Sequence, residues 1–184
     1  MSLGLAAKLK KVTLKTLPVY LLGVLLIIRA KPRLDFYVLG LFLVVLGEGL
    51  RIWATGHLQK NQEVTTTGPY AYVKNPLYLG TFLIMVGFCW MANQLLLMAV
   101  GVGVFIFFYV PYKKRRESER LAQGFGQVWV DYEAHVPDYL PRWTPYERRG
   151  KAQWNIQLFL NNSEHEALLV VLLGIAIMSL KAFI

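Results

Sequence analysis

Between Gly68 and Gly80 the chain reads GPYAYVKNPLYLG, three tyrosines, two prolines and a single charge set between long apolar stretches. Tyr70, Tyr72 and Tyr78 offer ring faces for stacking together with hydroxyl donors, a composition suited to an amphipathic ligand that carries an aromatic base. An aromatic belt at a membrane interface accounts for the same tyrosines. Asn75-Pro76 is a helix-start signal, because asparagine can accept from an orphan backbone N–H and proline is pre-organised for the first helical position. Glu48 and Arg51 are ionisable residues close to the inner end of an apolar segment. Their spacing puts them on one helix face, where they can neutralise each other or serve a reaction. Glu117 and Glu119 follow the basic run KKRR, Lys113 to Arg116. A solvated helix face explains these two glutamates as readily as a binding role does.

Other chemistries lack their signatures. The chain has no phosphate-loop motif, no H-E-x-x-H, no complete G-x-G-x-x-G and no G-x-S-x-G. His57, His135 and His165 stand at spacings that suggest no zinc site. The single cysteine, Cys89, rules out a disulfide within the chain.

Positioning these residues is a task for membrane helices. In 184 residues, 55% are hydrophobic, and the mean hydropathy of +0.41 is too high for an ordinary soluble domain. The fold expected is an all-α integral membrane protein forming one domain over residues 1–184. Five apolar segments are expected to span: Leu14 to Ala30, Phe36 to Ala54, Leu77 to Ala92, Leu95 to Val110 and Ala167 to Ile184. The first is read as a span rather than a cleaved signal peptide, because RAKPR follows it in place of an A-x-A-like site.

Charge distribution sets the orientation. With the N-terminus cytoplasmic, 16 of the 20 Lys and Arg fall on the inner side; this is the positive-inside bias, and anionic lipids of that leaflet attract the KKRR run. No recognised motif accompanies the net charge of +9, so nucleic acid is not an expected partner. Asn93-Gln94 leaves the third and fourth spans only a tight antiparallel hairpin. That hairpin returns Lys113 to the side of Lys74 and brings the tyrosine-rich turn against the polar segment from Tyr112 to Ser163. In that segment a helix is expected from Lys113 to Gln123, a break at Gly124 to Gly126, and a second helix ending before Pro137. Phe125, Val128, Trp129 and Tyr132 recur at helical spacing and define an apolar face. Asp35 can cap the second span, Ala152 to Leu160 can lie in the interface, and Ser163 with Glu166 forms a capping-box signature for the last span.

GPYAYVKNPLYLG, followed downstream by RRESERLAQGFGQVWVDYEAHVPDYLPR, resembles the isoprenylcysteine carboxyl methyltransferase and phospholipid methyltransferase family of integral membrane enzymes. Members read G-P-Y-x-x-V-R-H-P-x-Y-x-G at the first place, then E-E-x-x-L, F-G-x-x-Y-x-x-Y and V-P-x-x-x-P at the second. The likeness covers Arg51 to Arg142, in order and on both sides of the hairpin; residues 143–184 add an interfacial segment and a final span. It implies S-adenosylmethionine as methyl donor, a lipophilic acceptor, and a cofactor site at the cytoplasmic membrane surface. Tyr70, Lys74, Asn75, Pro76, Tyr78 and Gly80 would line that site from one side. Glu117 would face them, with Tyr132 and Arg142 near the mouth. Asn75, Arg51 and Glu48 are the candidate catalytic residues.

Two departures bear on mechanism. Lys74-Asn75 stands where the family has arginine and histidine, and Glu117-Ser118 where it has paired glutamates. Asparagine keeps a donor and an acceptor but does not titrate near neutrality, and lysine keeps charge without the bidentate fork. Two rival readings accompany the enzyme: a family member that binds a ligand or partner without turnover, and a membrane NADPH-dependent reductase of a sterol-like or polyprenyl substrate.

Overall fold

The structure is a computed structural model that describes residues 17–184, and within them it is helical with no strand. The basic cluster Lys8 to Lys15 and the expected start of the first span at Leu14 lie outside the described residues. Helices α1 (Leu17–Arg29), α2 (Leu34–Thr55), α3 (Pro76–Met91) and α4 (Leu95–Val104) are followed by a π-helical stretch, Phe105–Tyr109, which runs directly into α5 (Val110–Phe125). Helices α6 (Gln127–His135), α7 (Ile156–Asn161) and α8 (Glu164–Phe183) complete the chain. Helices thus stand at all five predicted apolar segments, but among the described residues only α2 and α8 are long and apolar enough to cross a membrane; α3 and the apolar stretch Leu95–Phe108 are shorter. Two of the five expected spans thus have a helix of spanning length among the described residues.

The α2–α3 pair is the axis of the bundle, and small residues set its spacing. Gly40 faces Gly87, and Gly47 faces Gly80, two antiparallel rungs seven residues apart on each helix. A Cβ on Gly47 would stand 2.6 Å from the Gly80 carbonyl oxygen, and one on Gly87 would stand 2.7 Å from that of Gly40. Side-chain-free positions let membrane helices approach this closely and gain dispersion contacts that lipid would not supply. Val44, between the rungs, is fully buried.

Helix α8 runs antiparallel to α2 and is fastened at both ends. Ser179 Oγ lies 2.6 Å from the Tyr37 hydroxyl. At the other end Glu164 receives both Nε and Nη2 of Arg51, at 2.7 and 2.9 Å. At the hairpin end, Lys31 N–H donates to the Ala92 carbonyl and Gln94 Nε2 to that of Arg29, seating α1 against the α3–α4 turn. That turn is tight, with Asn93 at φ 53°.

Three expected caps do not form. Asp35 sits inside the first turn of α2 and pairs with Arg33 at 3.1 Å. Ser163 adopts φ 57°, ψ 27° and makes no side-chain cap bond, so the Ser163–Glu166 signature is not realised. Asn75 precedes α3, yet its amide is used elsewhere. The break after α5 is where the glycines place it, Gly126 taking φ 54°.

A candidate cofactor cavity at the α3 entrance

The chain from Gly56 to Asn75 is folded against the segment after α6 by main-chain bonds. Gly68 opens a 3₁₀ turn, Gly68–Ala71, at φ 57°. The His57 ring lies so near that a Cβ on Gly68 would be 2.3 Å from it, so backbone conformation and space both demand glycine. His57 is buried, its Nδ1 3.1 Å from Thr67 Oγ1, and burial holds its pKa below the usual value.

From Ala71 to Asn75 the turn is strapped to residues 137–146. Lys74 N–H donates to the Pro137 carbonyl at 2.8 Å, Asn75 N–H to that of Asp138 at 3.2 Å, Arg142 N–H to that of Tyr72 at 3.0 Å, and Tyr146 N–H to that of Ala71 at 2.8 Å. The Tyr132 hydroxyl adds a bond to the Tyr70 carbonyl at 2.7 Å. Trp129, Tyr132, Val136 and Tyr146 form a small aromatic core beneath the strap, with Phe125 packed against it. Val128 is not part of that face: it points outward, 63% exposed.

Over this core lies a cavity of about 730 Å³, within the range of small-molecule sites. Seven of the nine residues assigned by resemblance line it: Tyr70, Lys74, Asn75, Pro76, Tyr78, Glu117 and Tyr132. The two halves of the motif touch, for the Tyr78 hydroxyl donates to Glu117 Oε2. Gly80 is instead spent on the rung with Gly47, and Arg142 turns back onto the His135 carbonyl at 3.1 Å. Glu48 and Arg51 are not on the cavity wall. Arg51 serves Glu164 and Thr81 Oγ1, the latter at 2.7 Å, while Glu48 stands 3.9 Å away as a weaker partner. The mutual neutralisation expected of Glu48 and Arg51 therefore goes mainly to Glu164. Glu164 is distant in sequence, so no local spacing pointed to it.

The unusual pair Lys74-Asn75 has local partners. Lys74 Nζ contacts Asp138 Oδ1 at 3.0 Å and the Glu133 carbonyl at 3.1 Å, and Asn75 Nδ2 donates to the Asp138 carbonyl at 3.2 Å. Ser118, where a second glutamate was expected, donates to Glu133 Oε1 at 2.7 Å. Glu133 thereby brings a carboxylate to the cavity from α6. Sequence reading missed Glu133, Asp138 and Trp129, which line the cavity, and the loop Leu58 to Thr65, which lines it with every residue but Gln62. The polar run HLQKNQEVTTT between apolar segments was the available signal for that loop. Burial raises the pKa values of Tyr70 and Tyr132 far above the ordinary phenol value, with the neighbouring Tyr132 and Tyr146 respectively adding to the effect.

With this geometry, the sequence pattern of the phospholipid methyltransferase family matches residues 36–128, just over half of the chain, and ends within α6. The chain belongs to that family. The chain is also similar to the cobalt-zinc-cadmium resistance protein CzcN of Cupriavidus metallidurans, 30% identical over 65% of this chain and 53% of its own length. The nickel-cobalt-cadmium resistance protein NccN of Alcaligenes xylosoxydans xylosoxydans is 31% identical over 56% of this chain and 47% of its own. Human protein-S-isoprenylcysteine O-methyltransferase is 29% identical over 56% and 40%. The chain thus matches about half the length of these curated relatives. No solved structure matches it. Among the described residues no group of three or more His, Cys, Asp and Glu is placed to hold a metal ion.

Proposed function

We propose that this protein is a multi-pass membrane methyltransferase that uses S-adenosylmethionine to methylate a lipophilic acceptor at the cytoplasmic face. The observation that carries the reading is the contact of Tyr78 with Glu117 on one cavity wall, which joins both halves of the family motif. The donor set fits the cofactor. Glu117 and Glu133 suit an ammonium group and a nearby sulfonium, and the rings of Tyr70, Tyr78 and Trp129 suit an adenine face. When bound, the cofactor supplies a methyl group on a sulfur that already carries positive charge.

The protein's own work is then alignment and exclusion of water. The loop Leu58 to Thr65 walls the cavity, and the strap fixes the far side. No histidine lines the cavity among the described residues. Asn75 does not titrate, and the buried phenols of Tyr70 and Tyr132 hold their protons throughout the physiological range. This supports an acceptor that arrives already nucleophilic, a carboxylate or thiolate, in preference to an amine that must first lose a proton.

Calorimetry in detergent tests the cofactor: S-adenosylmethionine is expected to bind, and binding of NADPH alone would overturn the reading. A labelled-methyl assay on membrane-extract fractions tests turnover. Methylation confined to lipid amines would refute the proposed acceptor class.

A further inference from the structure

The strap beside the cavity also carries an apolar surface that none of the described residues covers. Leu140 is 82% and Trp143 100% exposed, although the backbone on either side is fixed by the bonds of Lys74, Asn75, Arg142 and Tyr146 to the strap. A rigid loop that holds a leucine and a tryptophan outward has no internal use for them, and apolar surface of this kind marks a contact site.

Its height in the bundle identifies the contact. The strap is bonded to residues 71–75, directly before α3 begins at Pro76. From the Gly47–Gly80 rung, Pro76 is about 6 Å along α3 and Trp53 about 9 Å along α2 by helical rise, so both stand near one level. Trp53 is half-exposed there, and Trp154 donates Nε1 to the Ile52 carbonyl at the same end. Tryptophans collect at membrane–water boundaries, and the Leu140–Trp143 loop continues the ring they begin. From residue 139 to 151 the chain carries four basic residues, Arg142, Arg148, Arg149 and Lys151, against one acidic residue, Glu147. Arg149 and Lys151 are exposed. Apolar tips with a basic flank match an anionic leaflet.

We infer that Leu140 and Trp143 insert into the anionic lipid leaflet at this end of the bundle, making the strap a peripheral anchor beside the cavity. The inference stands whether or not the protein transfers methyl groups. Because Asp138 of the same strap lines the cavity, lipid engagement holds one cavity wall at a fixed depth.

The test uses the full chain with Cys89→Ala, carrying a nitroxide at Leu140→Cys or Trp143→Cys, in phosphatidylcholine vesicles with and without phosphatidylglycerol. Both side chains are exposed, so labelling removes no internal contact; unchanged helical circular dichroism checks this. Expected is a several-fold preference for collision with oxygen over a water-soluble nickel chelate, relative to a label at Gln123→Cys on α5. Adding phosphatidylglycerol should deepen the label, and Arg149→Glu with Lys151→Glu should reverse that gain. Free access of the nickel chelate to both labels would overturn the insertion and leave the surface to a soluble partner. Equal depth in neutral and anionic vesicles would overturn the assignment to anionic lipid.

Discussion

The close approach of α2 and α3 at the Gly47–Gly80 rung makes a sharp prediction. In Gly47→Ala the new methyl would sit 2.6 Å from the Gly80 carbonyl oxygen, 2.9 Å from Leu83 Cβ and 3.0 Å from Ile84 Cγ1, whereas ordinary contact begins at 3.4 Å. The nearest atom is backbone, so α2 and α3 must part by about 0.8 Å, a gap that forfeits roughly a quarter to a half of the dispersion well for facing atoms. Overpacking of this kind costs about 1–3 kcal/mol. Gly49, two residues on, has nothing within 4 Å of its built Cβ. Gly49→Ala carries the same change in helix propensity, about 1 kcal/mol in favour of alanine, so the difference between the two variants isolates packing. Reversible unfolding in mixed micelles is expected to place Gly47→Ala about 2 kcal/mol below Gly49→Ala, roughly thirtyfold in the folding equilibrium. The first turn of α3 with Tyr78, and Asn75 just before it, move with that separation, so S-adenosylmethionine should also bind more weakly to Gly47→Ala. Equal stability of the two variants would refute the claim that the glycine rungs set the helix spacing.

Other perturbations probe the remaining contacts. Tyr78→Phe and Glu117→Gln should each weaken S-adenosylmethionine binding several-fold by calorimetry, and the double variant should lose less than the two losses combined, because the pair shares one hydrogen bond. Glu164→Gln leaves Arg51 without its bidentate partner and should destabilise the protein by about 3–5 kcal/mol, whereas Arg51→Met with Glu164→Leu should recover most of that stability. Burial depresses the pKa of His57, so the unfolded chain takes up its proton first. Stability is therefore full above the unfolded value of about 6.5 and falls as pH drops below it; melting temperatures compared at pH 7.5 and 5.5 should fall less in His57→Asn. Tyr132→Phe removes the bond to the Tyr70 carbonyl and should cost about 1 kcal/mol in the same unfolding assay.

Helix positions were legible because the apolar runs are long and their ends carry Pro, Gly or Asn-Gln, as at Pro76, Gly126 and Asn93. The juxtaposition of the tyrosine turn with α5 was legible too, because a two-residue hairpin leaves the chain no other route. What the sequence concealed was competition for partners. Asn75, Asp35 and Ser163 each carry a cap signature, but Asn75 found Asp138, Asp35 found Arg33 inside the first turn, and Ser163 took a left-handed backbone. Arg51 was assigned to Glu48 by spacing, although Glu164 offers it two oxygens from another helix. Gly80 looked like a pocket residue because a motif gives position without saying which face of the helix a neighbour occupies. Glu133 has no motif of its own and reaches the cavity only because the break at Gly126 turns α6 back under α5.

The bonds that join residues 71–75 to residues 137–146 run between main-chain atoms, and every amino acid but proline brings the same N–H. Evolution can therefore rewrite the side chains on both ribbons, as at Lys74 and Asn75, without undoing the clasp. The vulnerable change is proline at Lys74, Asn75, Arg142 or Tyr146, each of which donates across it. Residue identity within this seam is left open to whatever ligand or lipid a given descendant must meet.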